Sequence, residues 1–92
     1  MSDKSKAQRA HAIRRARERY GIDLNRDQYT ALCASLRKGA GIFLGRQSNR
    51  LTVWRLVVAE RACNVVYDKQ RGTIVTFLPL DITNAHGVLI PS

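Results

Sequence analysis

Ninety-two residues make one domain, with no room for a second core, and 45% apolar residues are too many for a disordered chain. Sixteen Lys and Arg against seven Asp and Glu leave a formal net charge of +9. That imbalance repels itself in the compact state, and its usual counterweight is a polyanion. Twelve of the sixteen cations are Arg, which favours forked recognition of phosphate over simple charge attraction.

The N-terminal sequence MSDKSKAQRA lacks the apolar core of a signal peptide, and no run approaches the roughly 20 apolar residues of a membrane span. The expectation is a cytoplasmic protein with no membrane contact. An Arg-rich amphipathic start also suits a transit peptide, but the segment is better used inside the fold.

In chain order, Lys4 to Tyr20 contains no Gly or Pro and is rich in helix formers, with Ile13, Ala16 and Tyr20 as its apolar stripe. Gly21 is a plausible left-handed cap for this helix. A second helix is expected from Arg26 to Lys38, with Asn25 as N-cap and Tyr29, Leu32, Cys33 and Leu36 on one face. The run GAGIFLG reads as a loop entering a strand, Ile42 to Leu44, before a polar turn through Arg46, Gln47, Ser48 and Asn49. Leu51 to Ala59 alternates weakly and is rich in β-branched and aromatic residues. Glu60, Arg61 and Ala62 form the next connection, Cys63 to Asp68 a third strand, Lys69 to Gly72 a turn and Thr73 to Leu78 a fourth strand, stopped by Pro79. Helices followed by closely connected strands imply an α+β domain, ααββββ, with two N-terminal helices packed on a four-stranded antiparallel sheet. Residues 1–92 form a single domain, with 1–6 and 80–92 as candidate loose tails.

The strongest chemical signal is in the first helix, where Arg9, Arg14, Arg15, Arg17 and Arg19 fall within eleven residues. Winding at about 100° per residue puts His11, Arg14, Arg15 and Glu18 on one face, nearly opposite Ile13 and Tyr20. This face is a candidate phosphate-binding surface, extended by Lys38, Arg46 and Arg50; a merely solvated helix face is the plain alternative. Cleavage of RNA without a metal needs a base for the 2′-hydroxyl, an acid for the leaving oxygen and cations for the crowded phosphorane. His11 among arginines supplies these ingredients, and neighbouring positive charge would favour its neutral form while Glu18 opposes this. A lone helical His is also commonly a surface residue or phosphate donor.

Tyr67, Arg71, Thr73 and Thr76 gather around the last two strands, where Tyr67 could stack on a base or donate a proton. Simple alternation sets Thr76 opposite Thr73 and Val75, and such residues also serve as plain sheet filling. Trp54 and Arg55 fall on opposite faces, with Trp54 expected in the core. Cys33 and Cys63 allow one disulfide at most and read as two buried thiols. No Cys/His cluster has metal-ligand spacing, so neither metal nor other cofactor is expected. His86 is the second imidazole, with no spacing that links it to His11. No Walker loop, GxGxxG, HExxH or nucleophile elbow occurs.

The strings AHAIRRARERYGIDL and VVYDKQRGTIVTFLP resemble small phage and bacterial proteins of the RelE/barnase-like group of metal-independent RNase folds. That group includes domains of unknown function with an HAxxR opening helix and a last strand reading roughly IVTFLP. The resemblance covers about residues 10–22 and 64–79. It implies helices on a four-stranded antiparallel sheet and an RNA cleft at the sheet and helix edge, with the cytoplasm of a bacterial host cell as the expected location. By position it brings over His11, an adjacent Arg and Thr76, with Tyr67 and Arg71 as weaker carry-overs.

The expectation is therefore a basic RNA-binding domain, RNA before DNA, whose enzymatic status stays open. As a metal-independent endoribonuclease it would use His11, Arg15, Tyr67, Arg71 and Thr76 and leave a 2′,3′-cyclic phosphate. The alternative is a non-enzymatic phage-type inhibitor or adaptor that docks on an acidic surface of a host or antitoxin protein. A DNA-binding helix-turn-helix fits less well, because the β half is too large for decoration.

Overall fold

In the computed structural model the described residues are 2–79, with side chains described from Lys6 onward. The proposed C-terminal tail, 80–92, and His86 within it lie outside the described residues. The chain forms α1 (Ser2–Tyr20), α2 (Arg26–Arg37), β1 (Ile42–Arg46), β2 (Leu51–Val58), β3 (Arg61–Asp68) and β4 (Thr73–Leu78). The sheet is an antiparallel meander in the order β1-β2-β3-β4, and the fold is α+β.

Local chemistry explains the boundaries. Gly21, at φ +66°, ends α1, with its N–H on the Arg17 carbonyl at 2.9 Å and that of Ile22 on Ala16 at 3.3 Å. A capping box starts α2: the Asn25 side chain accepts from the Gln28 N–H and the Gln28 side chain accepts from the Asn25 N–H, both at 2.8 Å. Residues 2–6, expected as a loose tail, instead continue α1. The connection expected at Glu60, Arg61 and Ala62 is tighter: only Ala59 and Glu60 lie outside β2 and β3, both at positive φ. That geometry is a two-residue hairpin turn matched to strand twist.

The helix-covered face of the sheet holds the larger core, with Leu56, Val58, Cys63, Val65, Tyr67, Ile74 and Phe77 buried against Ala12, Ala16, Tyr20, Tyr29, Cys33 and Leu36. The opposite face carries a smaller cluster of Val53, Val66 and Leu78. Both faces being apolar explains the weak alternation of β2. Trp54 packs partly buried against the larger core, edge-on to Phe43 with centroids 5.3 Å apart, while Arg55 on the other face donates to the Asn64 side chain at 3.0 Å. Cys33 and Cys63 are buried free thiols. No helix among the described residues is long and apolar enough to cross a membrane.

Candidate nucleic-acid interface

The first helix is seated on the edge strand β4 by small residues. Ala12 and Ala16 are fully buried, and their methyl groups let the helix approach the sheet closely. Polar contacts fix its direction: the Thr73 hydroxyl donates to the Gln8 side chain at 2.9 Å, and Arg19 donates to the Phe77 carbonyl at 2.9 Å. Eleven helical residues rise about 16 Å and four strand residues about 13 Å, so α1 and β4 run side by side in the same direction. The Tyr20 hydroxyl completes the attachment by donating to the Leu78 carbonyl and accepting from the Asn64 N–H.

This seating corrects the apolar stripe. Ala12, Ala16 and Tyr20 are buried, whereas Ile13 lies at the flank, because at closest approach only a small side chain fits. The helix is thereby turned so that His11, next to Ala12, is half-buried at the border of the packed stripe instead of pointing away from it. Partial burial lowers the His11 pKa, as do the charges of Arg15, Arg14 and Arg19, with Glu18 opposing. The imidazole is therefore neutral at pH 7, the form required of a general base.

The arginines of α1 do not act as one array. Arg15 pairs with Glu18 at 2.8 Å, Arg17 faces Asp23 at 3.6 Å with both side chains highly exposed, and Arg19 holds Phe77. Arg9 and Arg14 make no hydrogen bond or ion pair among the described residues, which leaves their donors open to a ligand. Lys6, Arg9, Arg14 and Arg17 line a groove along α1 together with Ile13 and Leu24, with Asp23 the single acid in its lining. Cations beside apolar surface can take a phosphate and the face of a sugar or base together. Lys6 and Leu24 were not singled out from sequence; Leu24 enters only through the turn at Gly21.

The remaining candidates surround β4 without meeting His11. Tyr67 is buried on the helix-covered face. A side chain added at Gly72 would approach the Tyr67 hydroxyl to 3.6 Å and an Arg37 guanidinium nitrogen to 3.0 Å, so these groups share one corner. Arg37, also missed in the sequence, donates to the Gly72 carbonyl at 3.0 Å. Burial raises the Tyr67 pKa, with the Arg37 charge opposing, so its phenol keeps its proton at pH 7. Arg71, in the β3–β4 turn, lies 4.0 Å from the buried Asp68 carboxylate. Thr76 pairs with Val66 and Thr73 with Asp68, across a register shift that leaves Val75 unmatched. This β-bulge resets the alternation, so Thr73 and Thr76 pair with residues of one face of β3, contrary to simple period-two reading, while the Thr73 hydroxyl still reaches Gln8 of α1.

Of the outlying cations, Lys38 caps α2 and Arg46 ends β1, both exposed, while Arg50 faces Asp68 at 3.3 Å. Among the described residues no three His, Cys, Asp or Glu side chains come together as a metal site. Compared with known proteins, the chain matches no family model, no curated protein and no solved structure.

Proposed function

We propose that this domain binds RNA along α1 and the β4 edge and cleaves it without a metal ion. The observation that carries the reading is His11: a half-buried imidazole held neutral beside Arg14, whose guanidinium has no partner among the described residues, in a chain of net charge +9. Neutral His11 takes the 2′-hydroxyl proton, and the 2′-oxygen attacks the adjacent phosphorus. The 5′-oxygen leaves, takes up a proton and becomes a hydroxyl, and the product end is a 2′,3′-cyclic phosphate. Arg14 and Arg15 bind the phosphate and offset its growing charge, as cations placed at a developing anion do. The His11 imidazolium returns its proton to the leaving oxygen; Tyr67, buried on the helix-covered face, and Arg71 and Thr76 lie apart from His11 and take no part in the step. The RelE/barnase-like resemblance of the first helix and last strand supports the same assignment, and the ααββββ order agrees with the fold that resemblance implies.

The test is cleavage of a mixed fluorescent RNA in EDTA by the wild type and His11→Ala. General acid–base groups contribute typically about 10²–10⁴-fold, so a loss of that size in a folded variant is expected. Equal cleavage by both proteins overturns the role of His11. A second reading, a non-enzymatic adaptor for a host protein, is favoured by Ile42, Phe43 and Val57, which are exposed by 63%, 54% and 68% on β1 and β2. On that reading neither protein cleaves, and Phe43→Ser with Val57→Ser abolishes partner capture.

A further inference from the structure

A second cationic site stands at the end of the sheet where the β1–β2 and β3–β4 turns meet. Its organiser is Asp68, fully buried at the end of β3, where a lone carboxylate would be costly. Oδ1 accepts the backbone N–H of Gln70 at 2.9 Å and of Arg71 at 3.1 Å, and the Gly72 N–H closes the turn on the Asp68 carbonyl at 2.7 Å. Oδ2 accepts no hydrogen bond and faces Arg50 at 3.3 Å and Arg71 at 4.0 Å. One sealed negative charge thus holds two guanidiniums, and the surplus is positive.

Arg50 is fixed further. Its guanidinium donates to the Gln70 side chain at 3.3 Å, and its carbonyl accepts the Lys69 N–H at 2.9 Å. Half of its side chain remains exposed, so donors are left facing solvent. The pocket between the turns is lined by Ser48, Asn49, Arg50, Lys69 and Gln70: two cations, three neutral hydrogen-bonding side chains and no acid. Because Asp68 and Gln70 already hold the Arg50 fork, little side-chain freedom remains to be lost when an anion binds.

We propose that this pocket is a phosphate-binding subsite, with the Arg50 guanidinium and Lys69 ammonium as its cations, and that it takes a backbone phosphate of the RNA engaged by α1. The source of the phosphate rests on the RNA reading above; the chemistry of the pocket does not. The site follows the strand contacts of α1 naturally, since Gln8 and Thr73 join the helix to the start of β4, immediately beyond this turn.

The experiment is a nitrogen–proton NMR titration in EDTA with inorganic phosphate and, separately, with a short RNA oligonucleotide. It uses the wild type, Lys69→Gln and Arg50→Lys; the last keeps the charge that Asp68 requires. Saturable shifts at the amides of 48–50 and 69–70 with both probes, weakened in both variants, are expected. For RNA binding, Lys69→Gln should reduce the salt dependence, log K against log salt, by about 0.7. Amides at the pocket that stay still with inorganic phosphate overturn the site, whether or not RNA is cleaved. A response to phosphate with none to RNA overturns the assignment to an RNA strand. Absence of RNA cleavage alongside a saturable phosphate response overturns the nuclease reading alone.

Discussion

Tyr20→Phe tests how α1 is attached to the sheet. The ring contact is retained: Tyr20 meets Phe77 edge-on at 6.2 Å and 66°, and a phenylalanine can do the same. What is lost is the hydroxyl that joins Asn64 in β3 to Leu78 in β4, two residues that pair across the sheet. Removing a buried partner costs about 1–3 kcal/mol, so a loss of about 2 kcal/mol is expected. For a domain of this size that lowers Tm by roughly 8–16 °C. Thermal unfolding by circular dichroism at pH 7 measures it, and hydrogen exchange at the Asn64 amide localises it. The pH dependence has a definite sign. Burial raises the Tyr20 pKa above the ordinary 10, so the folded state holds a proton that the unfolded chain releases in alkali. Its contribution is present below pH 10 and is lost as pH rises through the folded value; Tyr20→Phe therefore flattens the alkaline limb of stability. A stability change below about 0.5 kcal/mol, within the range of ordinary surface substitutions, would refute the bridging role.

Three other outcomes follow from the same structure. The acidic limb of the cleavage rate should fall below pH 6.5, because burial and the neighbouring arginines depress the His11 pKa; Arg14→Gln with Arg15→Gln should move the limb upward in a pH–rate profile. Gly41→Ala should cost roughly 1–3 kcal/mol in chemical denaturation, since φ is +90° and the added carbon would lie 3.0 Å from the Arg55 carbonyl oxygen. Cys33 and Cys63 should resist a thiol reagent at neutral pH until the chain is unfolded, because burial raises both thiol pKa values, that of Cys63 to about 11. Rapid labelling of either in the folded protein would show that its strand or helix opens readily.

Much of the fold was legible because its signals are local. Asn25 with Gln28 marks the start of α2, Gly21 the end of α1, and Thr73 to Leu78 reads as a strand residue for residue. The turn falls at Ala59–Glu60, ahead of the connection that local sequence suggests, because neither residue advertises the positive φ that it adopts. At the candidate site, composition exposed the cations of α1 and His11, but not which of them are already occupied. Arg19 and Arg37 became structural anchors only through carbonyls contributed by β4 and the turn before it.

The sequence by itself determined the ααββββ order, the cationic character and the concentration of arginine beside His11, since each depends on residues close in the chain. Tertiary structure alone decided that Ala12 replaces Ile13 at the packed centre of α1, that a bulge puts Thr73 and Thr76 on one face, and that Asp68 is sealed beneath Arg50 and Arg71. Those outcomes depend on how closely two elements can approach and on which strand supplies the extra residue. They are set by packing between distant segments, a quantity that local spacing does not carry.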